Sequence, residues 1–293
     1  MKRPILILDG NNLAHRCYHS MGRLSYKGQS VSVIYGLPNL VTSLVKRFDP
    51  KKVFLVWDGK KSKIRKELLP EYKSHRKDFN KNFDPDDFYR QRDIAMKLFY
   101  NLGVKQIWDR EMEADDCIFM ILKKFTKSKI IIASNDKDFH QCITKRVTVV
   151  NGKDILLTPK TLPKNFNYTP ENCVDYLCLV GDSSDNIPGY RGIGEERGKA
   201  FFLEHSSIAN FLNSNKTHNL IDKEKLAKLY ALNRQLIDLS YYNEQHIPGD
   251  KKLPYFKGKR NNTIKLSKFK EICAKYGMVT LQKKQFTSIW EKL

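Results

Sequence analysis

Short apolar runs alternate with longer amphipathic stretches through the first half of the chain. The short runs are rich in β-branched residues and predict buried strands at residues 4–8, 53–57, 130–133 and 147–150. The stretches between them carry apolar residues at helical spacing and predict helices at residues 35–48, 88–102 and 114–125. Because strand and helix alternate, we expect an α/β fold with a mostly parallel central sheet and helices on both faces.

The second half of the chain follows a different pattern. After about residue 170 the strand-like runs cease, and helical segments separated by glycines and by Asn- and Ser-rich turns follow. We therefore expect an α/β part over residues 1–175 and a helical part over residues 176–293. No apolar run approaches the roughly 18 residues of a membrane span, and the opening MKRPILILDGNN lacks the features of a signal peptide, so we expect a soluble cytoplasmic protein.

Basic residues strongly outnumber acidic ones. The chain contains 53 Lys or Arg and 32 Asp or Glu, which gives a formal net charge of +21 at pH 7. Residues 60–82 carry nine basic and three acidic side chains, and residues 251–293 carry twelve and two. This excess favours nucleic acid as the partner over an ordinary solvated basic surface. The six cysteines form no CxxC pair, which argues against a disulfide framework and a zinc finger.

Acidic residues follow three of the predicted strands. Asp9 ends the first strand, Asp58 follows the second, and Asp136 and Asp138 follow the third. Ligands bind beyond the carboxyl ends of the strands in an open α/β sheet. We therefore expect these side chains to lie together at one rim of the sheet.

Two further acidic groups complete the set. Glu113, Asp115 and Asp116 open a predicted helix, and Asp182 and Asp185 lie in a polar turn. Each group alone is also explained by a helix start or a capped turn. Nine carboxylates close together, however, need cations to keep their charges.

The chemistry of this set favours hard divalent ions. Oxygen ligands without His or Cys suit Mg²⁺ or Mn²⁺ better than Zn²⁺. More acids than one ion needs indicate two metals, the arrangement used for in-line phosphoryl displacement. A basic surface with an acidic pocket therefore predicts a nuclease or a polymerase-like enzyme.

Five motifs make the chain resemble the 5′-nuclease family, which includes phage flap endonucleases and the amino-terminal 5′→3′ exonuclease domain of bacterial DNA polymerase I. In family order they are LDGNN, EYKSHR, EADD, NDKD and GDSSDNIPG, which begin at residues 8, 71, 113, 135 and 181. The resemblance covers residues 8 to about 200, and the basic helical C-terminus is compatible with it. The fold it implies is a PIN-like core with a helical arch and a helix–hairpin–helix motif. Since no polymerase follows, we expect a free-standing nuclease.

The resemblance implies two Mg²⁺ sites, which Mn²⁺ can also fill. The first site is assigned to Glu113, Asp115, Asp116 and Asp136, with Asp9 and Asp58 in support, and the second to Asp138, Asp182 and Asp185. All nine positions carry the acid of the family. We therefore expect an active enzyme, with Asp115 among its catalytic residues.

Residues 60–92 match the helical arch that lies over the active site in this family. Lys73 and Arg76 match the arch cations that reach the scissile phosphate, and we expect both to be catalytic and to bind DNA. A fixed ammonium or guanidinium group would stabilise charge that develops on the phosphoryl oxygens.

The arch also contains aromatic residues. Together with its basic charge they can attract a single strand and stack on its bases, and we assign Tyr72 to DNA binding on that ground. For Phe88 and Tyr89 we expect packing against the core instead.

Glycines are concentrated between residues 189 and 198, and Arg197 and Lys199 add charge there. Glycines allow the backbone N–H groups to approach a phosphate, so the spacing alone predicts a phosphate-binding loop, with an ordinary glycine turn as the alternative. The resemblance identifies residues 181–205 as a helix–hairpin–helix motif that holds K⁺ and binds the duplex backbone without reading its sequence. The residues assigned to DNA binding there are Gly192, Gly194, Arg197, Gly198 and Lys199.

The implied activity is that of a structure-selective 5′ nuclease, both a flap endonuclease and a 5′→3′ exonuclease, in replication or repair. Its partner would be branched or 5′-flap DNA, with RNA-primed strands left open, and it would act as a monomer without a membrane. One alternative is an RNA-cleaving nuclease of the PIN class, and another is a non-catalytic binder of DNA junctions. The glycine hairpin and the arch argue against the first, and the complete set of acids against the second.

Overall fold

A computed structural model describes residues 3–21, 24–74, 83–258 and 263–293. Six strands form one sheet in the order β5–β4–β1–β6–β7–β8. Their bounds are β1 Ile5–Asp9, β4 Lys52–Trp57, β5 Lys105–Trp108, β6 Ile130–Ala133, β7 Val147–Val150 and β8 Leu156–Leu157. The first five are mutually parallel, and only β8 runs antiparallel to its neighbour β7. A separate small hairpin consists of β2 (Ser25–Tyr26) and β3 (Gln29–Ser30).

Helices cover both faces of the sheet. One face packs against α1 (Gly10–Ser20), α2 (Ser32–Phe48), α4 (Pro85–Asn101), α12 (Leu266–Lys275) and α13 (Lys284–Glu291). The other packs against α5 (Ala114–Lys124), α7 (Cys173–Val180), α8 (Glu195–Glu204), α9 (Ile208–Asn213), α10 (Lys223–Ile237) and α11 (Leu239–His246). The shorter α3 and α6 span Lys63–Leu68 and Leu162–Asn165, and 3-10 helices span Lys137–Cys142, Phe256–Gly258 and Thr280–Gln282. This arrangement confirms the expected fold class.

The central strands are apolar because they are covered on both sides. All five residues of β1 are buried, as expected for a parallel strand between two helical layers. The four predicted strands correspond to β1, β4, β6 and β7, and the three predicted helices to α2, α4 and α5. The sequence pattern missed β5, whose four residues KQIW contain only two apolar side chains.

All six cysteines are buried and unpaired. Within the described ranges, no helix is long and apolar enough to cross a membrane.

Candidate active site

Asp9 lies where β1 ends and α1 begins. Its carboxylate accepts hydrogen bonds from the backbone N–H of Asn12 at 3.1 Å and from Oγ of Ser134, just beyond β6, at 2.7 Å. Burial and, after it, the neighbouring charge of Asp58 raise the pKa of Asp9 to about 7. Two carboxylates from adjacent strands therefore repel each other at this rim.

The end of β4 is joined to the start of α5. Oδ1 of Asp58 accepts a hydrogen bond from the backbone N–H of Ala114 at 2.8 Å, and Glu113 is the N-cap residue of that helix. Asp115 lies in the first helical turn, where burial and the charge of Asp136 raise its pKa well above its usual value. The rim thus brings acids of three chain segments into one electrostatic neighbourhood.

The segment after β6 carries two more acids. Asp136 caps the 3-10 helix that follows and accepts a hydrogen bond from the backbone N–H of Asp138 at 2.9 Å. Asp138 is buried, and its pKa is raised well above normal by burial, by Asp136 and by the charges of Asp185 and Asp182. Among the described residues its Oδ1 atom has no hydrogen-bond partner. A buried carboxylate oxygen of this kind is a natural ligand for a cation.

Asp182 and Asp185 come from the loop after α7. Asp182 accepts hydrogen bonds from the backbone N–H and Oγ of Ser184 at 2.8 and 2.7 Å, which fixes its direction. Both acids are buried. The structure therefore brings the predicted acids into one cluster, which contains Asp9, Asp58, Glu113, Asp115, Asp116, Asp136, Asp138, Asp182 and Asp185.

Lys73 lies inside this acidic cluster. Its Nζ atom is 3.0 Å from Oε2 of Glu113, 3.4 Å from Oδ2 of Asp185 and 3.9 Å from Oδ2 of Asp115. Burial alone would lower the pKa of Lys73, but these carboxylates outweigh it and hold the pKa well above its ordinary value. The predicted arch cation therefore contacts acids assigned to both metal sites.

Arg65 is a second buried cation, which the sequence indicates only as one of the nine basic residues at 60–82. Its Nη1 and Nη2 atoms lie 3.0 and 2.8 Å from the two carboxylate oxygens of Asp116, and Nη1 also donates to Oε2 of Glu113 at 3.0 Å. The guanidinium carbon stands 3.7 Å from the ring centre of Tyr242 in α11. Only the clustering of basic residues in the arch hinted at Arg65, because its partners are about fifty residues away in sequence.

Glu113 is held in its charged form by these two cations. Burial would raise its pKa, but Lys73 and Arg65 outweigh burial and lower the pKa to about 2. The cluster thus contains one carboxylate with a depressed pKa, Glu113, beside others with raised ones, such as Asp115 and Asp138. Lys73 and Arg65 therefore neutralise only part of the negative charge of the nine acids.

The structure corrects two assignments of aromatic residues. Tyr72 is 2% exposed and donates a hydrogen bond from its hydroxyl to Oε2 of Glu113 at 3.0 Å, so its ring is not available to stack on a base. Phe88 is fully buried, as expected, and stacks on His15 of α1 at 4.0 Å. Tyr89 is 48% exposed, so the expectation that it packs in the core is wrong.

Only the two flanks of the predicted arch can be compared with the structure. The first flank contains α3 and the turn that ends at Ser74, and the second begins at residue 83 and leads into α4. Arg76 lies outside the described residues, as does the arch tip at 75–82. The assignment of Arg76 as a catalytic and DNA-binding residue stays a prediction.

The glycine hairpin joins α7 to α8. Gly192 has a φ of +86°, and Gly194 caps α8. Arg197 donates from Nη1 to the carbonyl oxygen of Gly192 at 2.6 Å, so it braces the hairpin, while Lys199 is exposed. A Cβ atom on Gly198 would lie 2.5 Å from Val180, so this glycine allows α8 to pack closely on α7. The first helix of the unit therefore precedes the predicted start at residue 181, and the DNA-binding assignments stay predictions.

As the side chains stand, no three His, Cys, Asp or Glu residues within the described ranges are arranged to hold a metal ion. The metal assignments of the nine acids therefore stay predictions.

Comparison with protein families decides the relationship. Residues 4–172 match the N-terminal resolvase-like domain of 5′-3′ exonucleases, and residues 168–247 match the C-terminal SAM fold of the same enzymes. The chain belongs to the 5′-3′ exonuclease family. The family inferred from the five sequence motifs is thereby confirmed.

Individual proteins with similar sequences or structures support this family membership. A 5′-3′ exonuclease of Buchnera aphidicola is 31% identical over 218 residues, which cover 73% of this chain and 74% of that protein. The thermostable DNA polymerase I of Thermus thermophilus is 33% identical over 214 residues, but this chain matches only 25% of its length. A crystal structure of the bacteriophage T5 D15 flap endonuclease with DNA and metal ions has a TM-score of 0.71 at 21% identity and covers 92% of this chain and 98% of that one. At that identity the likeness supports the fold alone.

Proposed function

We propose that this protein is a structure-selective 5′ nuclease that hydrolyses DNA phosphodiesters near junctions of single-stranded and duplex DNA. The observation that carries the proposal is the cluster of nine acids at the strand ends, seven of them buried, in a chain with a net charge of +21. The T5 D15 flap endonuclease, whose fold this chain shares, was solved with DNA and metal ions. Products with a 5′-phosphate and a role in replication or repair belong to the proposal, as does a cytoplasmic site of action.

The donor set fits divalent ions of the hard class. All nine candidate ligands are carboxylates, burial and mutual repulsion raise the pKa of Asp9, Asp115 and Asp138, and Oδ1 of Asp138 lacks a hydrogen-bond partner among the described residues. We assign Mg²⁺ or Mn²⁺ to two sites held by these acids. When bound, such ions lower the pKa of a water molecule so that it can attack phosphorus.

Other residues of the chain would hold the substrate. The Lys73 ammonium, which lies among the acids of the cluster, would offset charge that develops on a phosphoryl oxygen bound there. The backbone N–H groups of the Gly192–Gly194 turn, with Lys199 beside them, suit a duplex phosphate, and K⁺ belongs to the same proposal. Since contacts of this kind go to the backbone, binding depends on the shape of the DNA and not on its sequence.

The test is cleavage of a labelled 5′-flap duplex in Mg²⁺ or in EDTA. We expect Asp115→Asn to lower the Mg²⁺-dependent rate by at least about 100-fold, because even outer-shell changes at metal sites cost 10- to 100-fold. Asp49→Asn is the matched control, since that side chain is 76% exposed and pairs with Arg3. The rate of Asp49→Asn should equal that of the wild type.

Two results would contradict the proposal. One is the absence of any Mg²⁺-dependent product from the wild type, and the other is equal cleavage by Asp115→Asn. Cutting of a single-stranded RNA, with the flap duplex left intact, would favour the PIN-class alternative.

A further inference from the structure

One carboxylate oxygen of Glu113, Oε2, is filled by protein donors. Its Oε2 atom accepts from Nη1 of Arg65, from the hydroxyl of Tyr72 and from Nζ of Lys73, each at 3.0 Å, and its Oε1 atom accepts from the backbone N–H of Ser62 at 3.1 Å. An ionised carboxylate offers about four lone-pair positions. Three donors already exceed the two positions of Oε2, so at least one of them must leave before this oxygen can bind a metal ion.

Lys73 stands between the two groups of acids. Its ammonium contacts Glu113 and Asp115 of α5 on one side and Asp185 of the loop after α7 on the other, at 3.0, 3.9 and 3.4 Å. The family resemblance implies that the first two acids belong to one metal site and the third to the other. A single positive charge thus sits at the position where the charge of divalent ions is needed.

The backbone of Lys73 is held in an uncommon conformation. Its φ is +54°, in the left-handed region that a residue with a side chain rarely adopts. The N–H group donates to the carbonyl oxygen of Asp185 at 2.9 Å, and the carbonyl oxygen accepts from Nζ of Lys61 at 2.5 Å. Such a conformation persists only where the surroundings hold it, so these contacts fix the backbone from which the Lys73 side chain projects into the cluster.

The two resident cations differ in how easily they can leave. Arg65 binds both oxygens of Asp116 with a rigid planar group and stacks on Tyr242, so its departure would break all of these contacts together. Lys73 ends in a point charge on a flexible four-carbon stem. Lys73 is therefore the donor that can move.

We propose that Lys73 is the counter-ion of the acidic cluster in the absence of metal. Divalent ions displace its ammonium group when they bind, and the group then becomes available to a substrate phosphate. This inference rests on the proposed function. Lys73 would then position the acids of the cluster before metal binds and contact the substrate afterwards. Metal binding and availability of the arch cation are then coupled through one side chain.

The experiment measures Mn²⁺ binding to the full chain by calorimetry, without DNA. If Lys73 leaves the cluster in about one tenth of the molecules, its removal should tighten apparent Mn²⁺ binding about tenfold. Lys73→Met and Lys73→Gln are the test variants, and Lys66→Met is the control, because Lys66 is an exposed lysine of the same arch flank. We expect the control to bind Mn²⁺ as the wild type does.

A second measurement needs no variant. An amine-reactive ester should modify Lys73 several-fold faster in the presence of Mn²⁺ than in EDTA, while Lys66 reacts equally in both, as read by peptide mass spectrometry. Equal or weaker Mn²⁺ binding by the Lys73 variants, or equal labelling of Lys73 in both conditions, would overturn the inference and leave the proposed nuclease untouched. Failure of the wild type to bind Mn²⁺ at all would overturn the metal dependence of the proposed function, and the inference with it.

Discussion

Arg65 meets Asp116 with both terminal nitrogens and shares Nη1 with Glu113, all within the buried part of the cluster. Its pKa lies well above normal, because these acids outweigh the cost of burying it. A paired buried ion contributes less to stability than its short distances suggest, yet removal of one partner is costly, since it leaves the other charge buried and unpaired. The largest effect of removing Arg65 on stability should therefore come from the unpaired carboxylates of Asp116 and Glu113.

We expect Arg65→Ala to lower the free energy of unfolding by about 3–5 kcal/mol, as measured by urea titration in EDTA. Arg65→Lys should recover only part of this, because an ammonium cannot bind both oxygens of Asp116 at once. Lys66→Ala, on the exposed side of the same helix, should change stability by less than about 0.5 kcal/mol.

A double-mutant cycle separates the pair from general disruption. Adding Asp116→Asn to Arg65→Ala should cost little more, which gives a coupling energy of about 1–3 kcal/mol. If the two losses simply add, the Arg65–Asp116 contact is not the source of the effect.

The sequence could place the acids but not their partners. Each acid follows a strand or opens a helix, and these positions are visible as local patterns in the chain. The contacts of Arg65 and Tyr72 with Glu113 join residues more than forty positions apart, and no local spacing encodes them. An aromatic residue in a basic segment suggests stacking on bases, and nothing local to Tyr72 shows that its hydroxyl donates to Glu113 instead.

At the scale of single elements, predictability followed the strength of the apolar pattern. The β6 and β7 strands were predicted residue for residue, because both are short β-branched runs. The β5 strand was missed, since its register beside β4, and not its own composition, makes it a strand. Tyr89 was misplaced because it adjoins Phe88 in the first turn of α4, where neighbouring side chains point in different directions.

The contact between α7 and α8 depends on a missing side chain. A methyl group on Gly198 would lie 2.5 Å from Cγ2 of Val180 and 3.2 Å from Cε2 of Tyr176. We expect Gly198→Ala to force the two helices apart, to cost about 1–3 kcal/mol of stability and to weaken duplex binding, because the hairpin between them changes its angle. Urea unfolding and fluorescence anisotropy with a labelled duplex measure the two effects.

Gly194→Ala provides the comparison for Gly198→Ala. In the described part of the chain, no heavy atom lies within 4 Å of the methyl group it would add, so its loss of stability should stay below about 1 kcal/mol. Unchanged duplex binding by Gly198→Ala would separate the packing of these helices from DNA recognition.

At the scale of the whole molecule, the last two helices, α12 and α13, pack against the helices of the first hundred residues. The predicted boundary after residue 175 would place α12 and α13 with the helical part, but both helices pack on the face of the sheet that carries α2 and α4. The family matches end at residue 247, before these helices. Apolar residues of α12 and α13 face inward while many of their lysines remain exposed, so the basic segment both closes a core and presents charge.

Trp290 tests whether this closure stabilises the whole molecule. The ring is buried in α13, with its centroid 6.1 Å from that of Phe99 in α4. We expect Trp290→Ala to cost about 3–5 kcal/mol, because it removes a large buried ring and leaves a cavity against α4. Trp290→Phe should cost less, since Nε1 of Trp290 has no hydrogen-bond partner among the described residues. Val279→Ala, at a side chain 66% exposed in the same segment, should change stability by less than about 0.5 kcal/mol.

The shape of the unfolding curve shows whether α12 and α13 unfold together with the sheet or separately. Far-ultraviolet circular dichroism in urea should give one transition for Trp290→Ala, shifted to lower urea, if the C-terminal helices and the α/β core unfold together. Two transitions, with the later one at the wild-type midpoint, would mean that α12 and α13 come away while the sheet stays folded. In that case the C-terminal helices would be an accessory layer, and their packing against α4 would contribute nothing to the rigidity of the rim that holds the acids.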